Sequence, residues 1–325
     1  MMSKSLTFKG PFKDIIPKYI EYKQALGFSY DYDYAKRLRE MDNFFAQHYR
    51  LKKIVLTKNM VLNFVKKRDN ESNSTISTRC AVIRGFATFL QGLGYKGIYL
   101  LPSQYIPKKS STFVPYIFSH EQIHNLFNII DNYHFGSEYL NSHNIYSCLS
   151  RLLYGCGLRI SEALSLKISD LDFTNSIIHI FKSKNNCSRI VCMSSSLSSF
   201  LQQYIIFNKF SNDDLLFPSP TGNIYSQRTV LHMFKKFFSD ANIHTSFGLL
   251  PRIHDFRHTF AVHSLQKMVN SGMDIYCTLP FLSSFLGHKN IYSTEKYLRL
   301  VEQDFPKLLM DNSNSVFPEV FHYEK

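Results

Sequence analysis

The sequence predicts a mainly α protein with a small antiparallel β element, arranged in two parts. Three observations predict it. Apolar residues recur at three- and four-residue spacing along most of the chain. Two short runs rich in β-branched residues, 177–181 and 189–193, stand apart from that pattern. A proline-bearing stretch near residue 105 interrupts the periodicity. With 325 residues, 44% of them hydrophobic, the chain is long and apolar enough for two cores.

The first part reads as four short helices. Ile15, Ile16, Tyr19, Ile20 and Leu26 mark the first, which Gly27 closes. Tyr34, Leu38, Met41 and Phe45 mark the second. Thr57 has the chemistry of an N-cap for a third, through Met60, Val61, Phe64 and Val65. Ser74 or Thr75 is the expected cap of the fourth, with Ile76, Cys80, Ile83, Phe86 and Leu90 inward and Gly92 or Gly94 as its stop. Residues 101–116 (LPSQYIPKKSSTFVPY) hold three prolines, paired lysines and paired serines, the composition of a linker. Ser119 and Gln122 then form a capping-box signature. In the second part, Ile177–Phe181 and Arg189–Met193 flank KSKNNCS as a hairpin. Pro218, Pro220, Gly222 and Asn223 mark a turn, and Ser226 leads into a helix through Val230, Phe234 and Phe238.

Charge is divided unevenly. Residues 1–112 carry 20 Lys+Arg against 8 Asp+Glu, a net of +12; residues 113–325 carry 18 against 17, a net of +1. A basic module beside a nearly neutral larger one suits a phosphate-gripping clamp joined to an enzyme domain. The six cysteines make no C-x-x-C pair and no zinc spacing. Met1 to Tyr19 lacks a continuous apolar stretch of the secretory type, and no apolar run nears the ~18 residues of a membrane span. These features predict a reduced, cytoplasmic protein without membrane partners.

Three segments concentrate the residues of phosphoryl chemistry. In GCGLRISEALSL (155–166), Arg159 follows a glycine pair and precedes a short amphipathic helix. In PRIHDFRHTFAVHSL (251–265), His254 and Arg257 are three apart and share a helix face or its entrance. In FLGHKNIYSTEKYLRL (285–300), His288 follows Gly287 in a turn, and Tyr297 lies nine residues on, within a helix that Ser293 would cap. Taken singly, each is ordinary: an arginine at a helix start is mostly a surface charge, and one of 20 tyrosines is mostly packing. His258 and His263 read as packing or capping residues. Glu162 reads either as a positioner of Arg159 or of a catalytic histidine, or as a surface carboxylate.

In this order and spacing the segments resemble the tyrosine recombinase (phage integrase) family. The resemblance implies a helical core-binding (SAM-like) domain at 1–105, a linker at 106–116, a mixed α/β catalytic domain at 117–312 and a tail at 313–325. It implies that Arg159, Lys184, His254, Arg257, His288 and Tyr297 are catalytic. Lys184 is located by counting back from Arg189; Lys182 competes for the role, and the family's flanking glycines are replaced by Ser183 and Asn185. Tyr297 would attack the phosphorus and leave a 3′-phosphotyrosine. Arg159 and Arg257 would clamp the phosphate, His254 would take the phenolic proton, Lys184 would protonate the departing 5′-oxygen, and His288 would orient the phosphate. The ester conserves the bond energy, so neither ATP, metal nor other cofactor is expected. The implied partners are double-stranded DNA and further copies of the chain, four on two DNA sites, with accessory proteins left open. The tail's Val316, Phe317, Val320 and Phe321 would dock on a neighbouring protomer.

Arg257 and His288 are 31 residues apart, with extra length around KMVNSGMDIYCTLPFLSS. This and the opening YIEYKQALGFSY look more like the integrases and tyrosine-type transposases of mobile elements than like chromosome-dimer resolvases. Other classes stay open. One is a catalytically idle DNA-binding protein of the same fold, and another a type IB topoisomerase. A metal-dependent nuclease would draw on Asp170, Asp172, Asp213 and Asp214, although such aspartates are mostly turn residues.

Overall fold

The computed structural model describes residues 7–28, 30, 32–108, 114–134, 142–181, 188–288, 292–295 and 297. The chain divides into two compact units, 1–113 and 114–325. The division falls within the proline-bearing stretch.

Unit one is built on four helices, α1 (Ile16–Ala25), α2 (Tyr32–His48), α3 (Lys58–Val65) and α4 (Asn73–Gly92). Their apolar stripes meet in one core, which includes Phe12, Tyr19, Leu38, Met41, Phe45, Phe64, Ile83 and Phe86. Thr57 caps α3 by accepting from the Met60 amide. The cap of α4 is Ser72, two residues before the expected Ser74 or Thr75. Its hydroxyl accepts from the Thr75 amide, and its backbone is extended. Four adjacent cap-forming side chains, Ser72 to Thr75, made this start ambiguous in sequence. Asp42 is fully buried and accepts from the amides of Gly10 and Phe12 at 2.7 and 2.8 Å, which pins the segment ahead of α1.

Unit two holds α5 (His120–Asp131), α6 (Ser142–Cys156), α7 (Ile160–Leu164), α8 (Ser195–Asn208), α9 (Gln227–Asp240), α10 (Asp255–Asn270), α11 (Ile275–Leu286) and α12 (Tyr292–Glu295). The Ser119–Gln122 capping box forms reciprocally at 3.0 and 3.1 Å. Helix α6 packs against α5, α8 and α10 and supplies Leu149, Leu152 and Leu153 to the core. A three-stranded antiparallel sheet runs β1 (Leu171–Asp172), β2 (Ile177–Ile180), β3 (Arg189–Cys192). The hairpin is thus one residue shorter on each strand than the sequence suggests. It also gains β1, a strand of two residues that carries no periodic signal. Ile178 faces Val191, and Ile180 pairs with Arg189. Residues 182–187, with Lys182 and Lys184, and the tail 313–325 lie outside the described residues.

Three of the four candidate aspartates are engaged in turns. Asp170 accepts from the Lys167 amide, Asp172 from those of Thr174 and Asn175, and Asp214 from that of Ser211. Among the described residues no three His, Cys, Asp or Glu side chains are grouped to hold a metal ion, and no helix is long and apolar enough to cross a membrane.

Candidate active site

The site is assembled where α6 ends, α10 begins and α11 ends. Helix α6 stops at Cys156, and Gly157 turns the chain with φ +58°. A Cβ there would lie 2.4 Å from the Phe260 ring, so only glycine fits. The turn delivers Arg159 to the N-cap of α7. There its amide and guanidinium both reach Glu162, at 3.0 and 2.7 Å, and its Nη2 points at the Gly287 carbonyl at 3.4 Å.

Arg257 sits in the first turn of α10 and is 2% exposed. Its Nη1 donates to the Gly157 carbonyl at 2.7 Å, and its Nη2 donates to the Leu286 carbonyl. One guanidinium therefore ties the end of α6 to the end of α11. Burial, then the charge of Arg159, lowers its pKa to about 10, which leaves it a cation at neutral pH. His254 is the N-cap residue of the same helix. Its ring is crowded on one side by protein and flanked by Arg257, Arg252 and Arg159. Crowding first and then these charges lower its pKa to about 4, so the imidazole is neutral at pH 7. The residue as a whole remains exposed to solvent.

Gly287 has φ +64° and turns the chain after α11. His288 follows, and its Nδ1 lies 2.8 Å from the Thr294 hydroxyl. Tyr297 comes after α12 rather than inside it. Ser293 lies within that helix and not ahead of it, and the Tyr297 amide closes a tight turn onto the Thr294 carbonyl at 2.9 Å. The Tyr297 ring is 2% exposed and stacks beside His288 with centroids 6.4 Å apart. Its hydroxyl lies 3.0 Å from Nδ1 of His258. Burial raises the phenol's pKa, while the charges of Arg257 and then Arg159 act against that rise.

Arg159, His254, Arg257, His288 and Tyr297 thus gather around one place, and Lys184 is the one candidate outside the described residues. Two neighbours of this place were not singled out in sequence. His258 stands four residues after His254, and the two rings meet edge to face at 4.9 Å. Only the placement of Tyr297 shows which of the pair touches the phenol. Arg189 opens β3, and its side chain is 8% exposed. The signal available was a charge on the inward face of a strand, in register with buried Val191. Glu162 is no surface carboxylate: it is 5% exposed, between Arg159 and Arg189.

A model described as the phage integrase family matches residues 117–304, more than half of the chain. The chain belongs to the phage integrase family. As an enzyme it is a tyrosine-type site-specific recombinase. The recombinase is 29% identical over 260 residues to the tyrosine recombinase XerD of Oceanobacillus iheyensis, covering 77% of this chain and 79% of that one. It is 27% identical over 304 residues to a Sinorhizobium fredii protein named provisionally as an integrase/recombinase, covering 88% and 92%. Two solved structures share its fold. The XerH recombinase bound to a palindromic difH substrate has a TM-score of 0.63 at 20% identity, covering 85% of this chain and 77% of that one. The Tn1549 transposon integrase with transposon end DNA has 0.61 at 18%, covering 90% and 98%.

Proposed function

We propose that the recombinase cuts and rejoins duplex DNA at specific sites through a 3′-phosphotyrosine at Tyr297. One observation carries the reading: a phenol far along the chain lies against a histidine and within reach of the charges of two arginines. Phosphodiester exchange places negative charge on the non-bridging oxygens, and guanidiniums, protonated at neutral pH, stabilise it. Arg159 and Arg257 are those groups. The raised phenol needs a proton acceptor, and the 3.0 Å contact supports His258 in that role. His254, neutral and beside both arginines, is then placed to bond the phosphate, as is His288. Oη of Tyr297 forms the new bond to phosphorus, the 5′-oxygen leaves, and Lys184 returns a proton to it. Attack by a 5′-hydroxyl of another strand reverses the step, so the bond energy is kept within the DNA.

Double-stranded DNA is the substrate in this reading, gripped largely through the +12 charge of residues 1–112. Two sites contain four strands to cut, and four copies acting together supply four phenols. The long stretch between Arg257 and His288 favours a mobile-element integrase over a chromosome-dimer resolvase. The test is a nicked suicide duplex followed on a denaturing gel. A covalent protein–DNA band is expected from the wild type and none from Tyr297→Phe. A band that survives the substitution would overturn the assignment.

A further inference from the structure

A carboxylate beside a phosphate-binding arginine presents a problem of charge. Glu162 is buried, and its two oxygens accept four hydrogen bonds. Arg159 gives two of them, through its amide and its Nη1. Arg189 gives the other two as a fork, Nη1 to Oε1 at 3.0 Å and Nη2 to Oε2 at 2.8 Å. Alone with Arg159, Glu162 would cancel the charge that the scissile phosphate needs.

The geometry points to Arg189 as a positioning residue of the active site: it neutralises Glu162 so that Arg159 keeps a positive charge for the phosphate, and it anchors the turn that carries His288. This inference rests on the reading that Arg159 and Arg257 hold that phosphate.

Charge is the first argument. Arg159, Arg189 and Arg257 against Glu162 leave two positive charges at the site. Without Arg189 one remains, on Arg257, and the Arg159–Glu162 pair is neutral overall. A fork that meets both carboxylate oxygens in parallel is a geometry that lysine cannot copy.

Reach is the second. The Nε of Arg189 donates to the Phe285 carbonyl at 2.9 Å, in the last turn of α11. One side chain therefore joins β3, α7 and the end of α11. The glycine ahead of His288 completes the fit. A Cβ on Gly287 would lie 3.0 Å from Cδ of Arg189 and 3.2 Å from its Nη1, in a backbone conformation that side chains rarely adopt.

The test compares full-length wild type, Arg189→Met, Arg189→Lys, Glu162→Gln and the double substitution Arg189→Met/Glu162→Gln, with Tyr297→Phe as the blank. Single-turnover cleavage of the suicide duplex is followed at saturating DNA, beside duplex affinity and thermal midpoint. Arg189→Met should slow cleavage by about 10- to 100-fold while affinity stays within about threefold. Arg189→Lys, which keeps the charge and loses the fork, should fall between. The distinguishing result is suppression: the double substitution should cut faster than Arg189→Met alone, because the uncompensated carboxylate is gone. A packing role would instead make the double substitution as slow or slower, and that result, or wild-type cleavage by Arg189→Met, overturns the inference. A parallel measurement needs no cleavage. Inorganic phosphate is titrated against the ¹⁵N guanidinium signals of Arg159 and Arg257. Weaker binding in Arg189→Met, regained in the double substitution, supports the inference; equal binding in all chains overturns it. If the wild type forms no adduct yet the phosphate series behaves as expected, the reading of Tyr297 fails and that of Arg189 stands.

Discussion

His254, at the N-cap of α10, and His258, one turn on, have different surroundings. His254 lies among three arginines and stays neutral, whereas His258 faces the phenol. A positioned base contributes about 10²–10⁴ in rate. His258→Gln should therefore lower single-turnover cleavage by about 10²-fold or more with duplex affinity unchanged. A harmless His258→Gln beside a crippling His254→Gln would return the base role to His254. Glu162 has a thermodynamic consequence as well. Burial pushes its carboxyl up, but the hydrogen bonds and charge of Arg189, and then the hydrogen bonds of Arg159, outweigh this and hold it at about 2 instead of the ordinary 4.5. A depressed carboxylate contributes stability that is complete above pH 4.5 and is lost as pH falls from there toward 2. The thermal midpoint of the wild type should accordingly fall more steeply than that of Glu162→Gln between pH 5 and 3. Parallel curves would show that the carboxylate is not held as described.

At the scale of elements, the site depends on three turns. Gly157 combines a left-handed φ with contact on Phe260, so Gly157→Ala faces backbone strain and overpacking together. The cost should be about 3 kcal/mol, read as a lower urea midpoint at constant m-value; an unshifted midpoint would mean that the turn relaxes. The turns at Gly157 and Gly287 were largely legible in sequence, because glycine ahead of Arg159 and of His288 states a backbone requirement directly. Helix α10 was legible too, since His254 and Arg257 mark its entrance. What stayed hidden depended on tertiary neighbours. Two histidines four residues apart are equivalent until Tyr297 is placed, and Arg189 is an ordinary strand charge until Glu162 is found beneath it. Tyr297 follows α12, and Thr294 binds back to His288 and to the Tyr297 amide, contacts that no periodicity reports. Strand β1, at two residues, is too short for any pattern.

For the whole molecule, the uneven charge makes a prediction about binding. Phosphate neutralisation releases counterions, so duplex affinity should fall linearly with salt on logarithmic axes, by about 0.9 per phosphate contacted. If residues 1–112 supply most of that grip, residues 114–325 alone should show a much shallower slope than the full chain in the same titration. Equal slopes would shift the grip to unit two. The two units keep separate cores, one of helices alone and one of helices around the sheet. The strongly basic first unit and the nearly neutral second unit can therefore be varied independently.

The most direct measurement is to find the amino acid that carries the DNA. The adduct trapped on a nicked duplex is digested with protease and nuclease, and the nucleotide-bearing peptide is sequenced by mass spectrometry. The account predicts a phosphodiester between the hydroxyl of Tyr297 and the 3′ end of the cut strand. A nucleotide on any other residue, or attachment through the 5′ end, would contradict it.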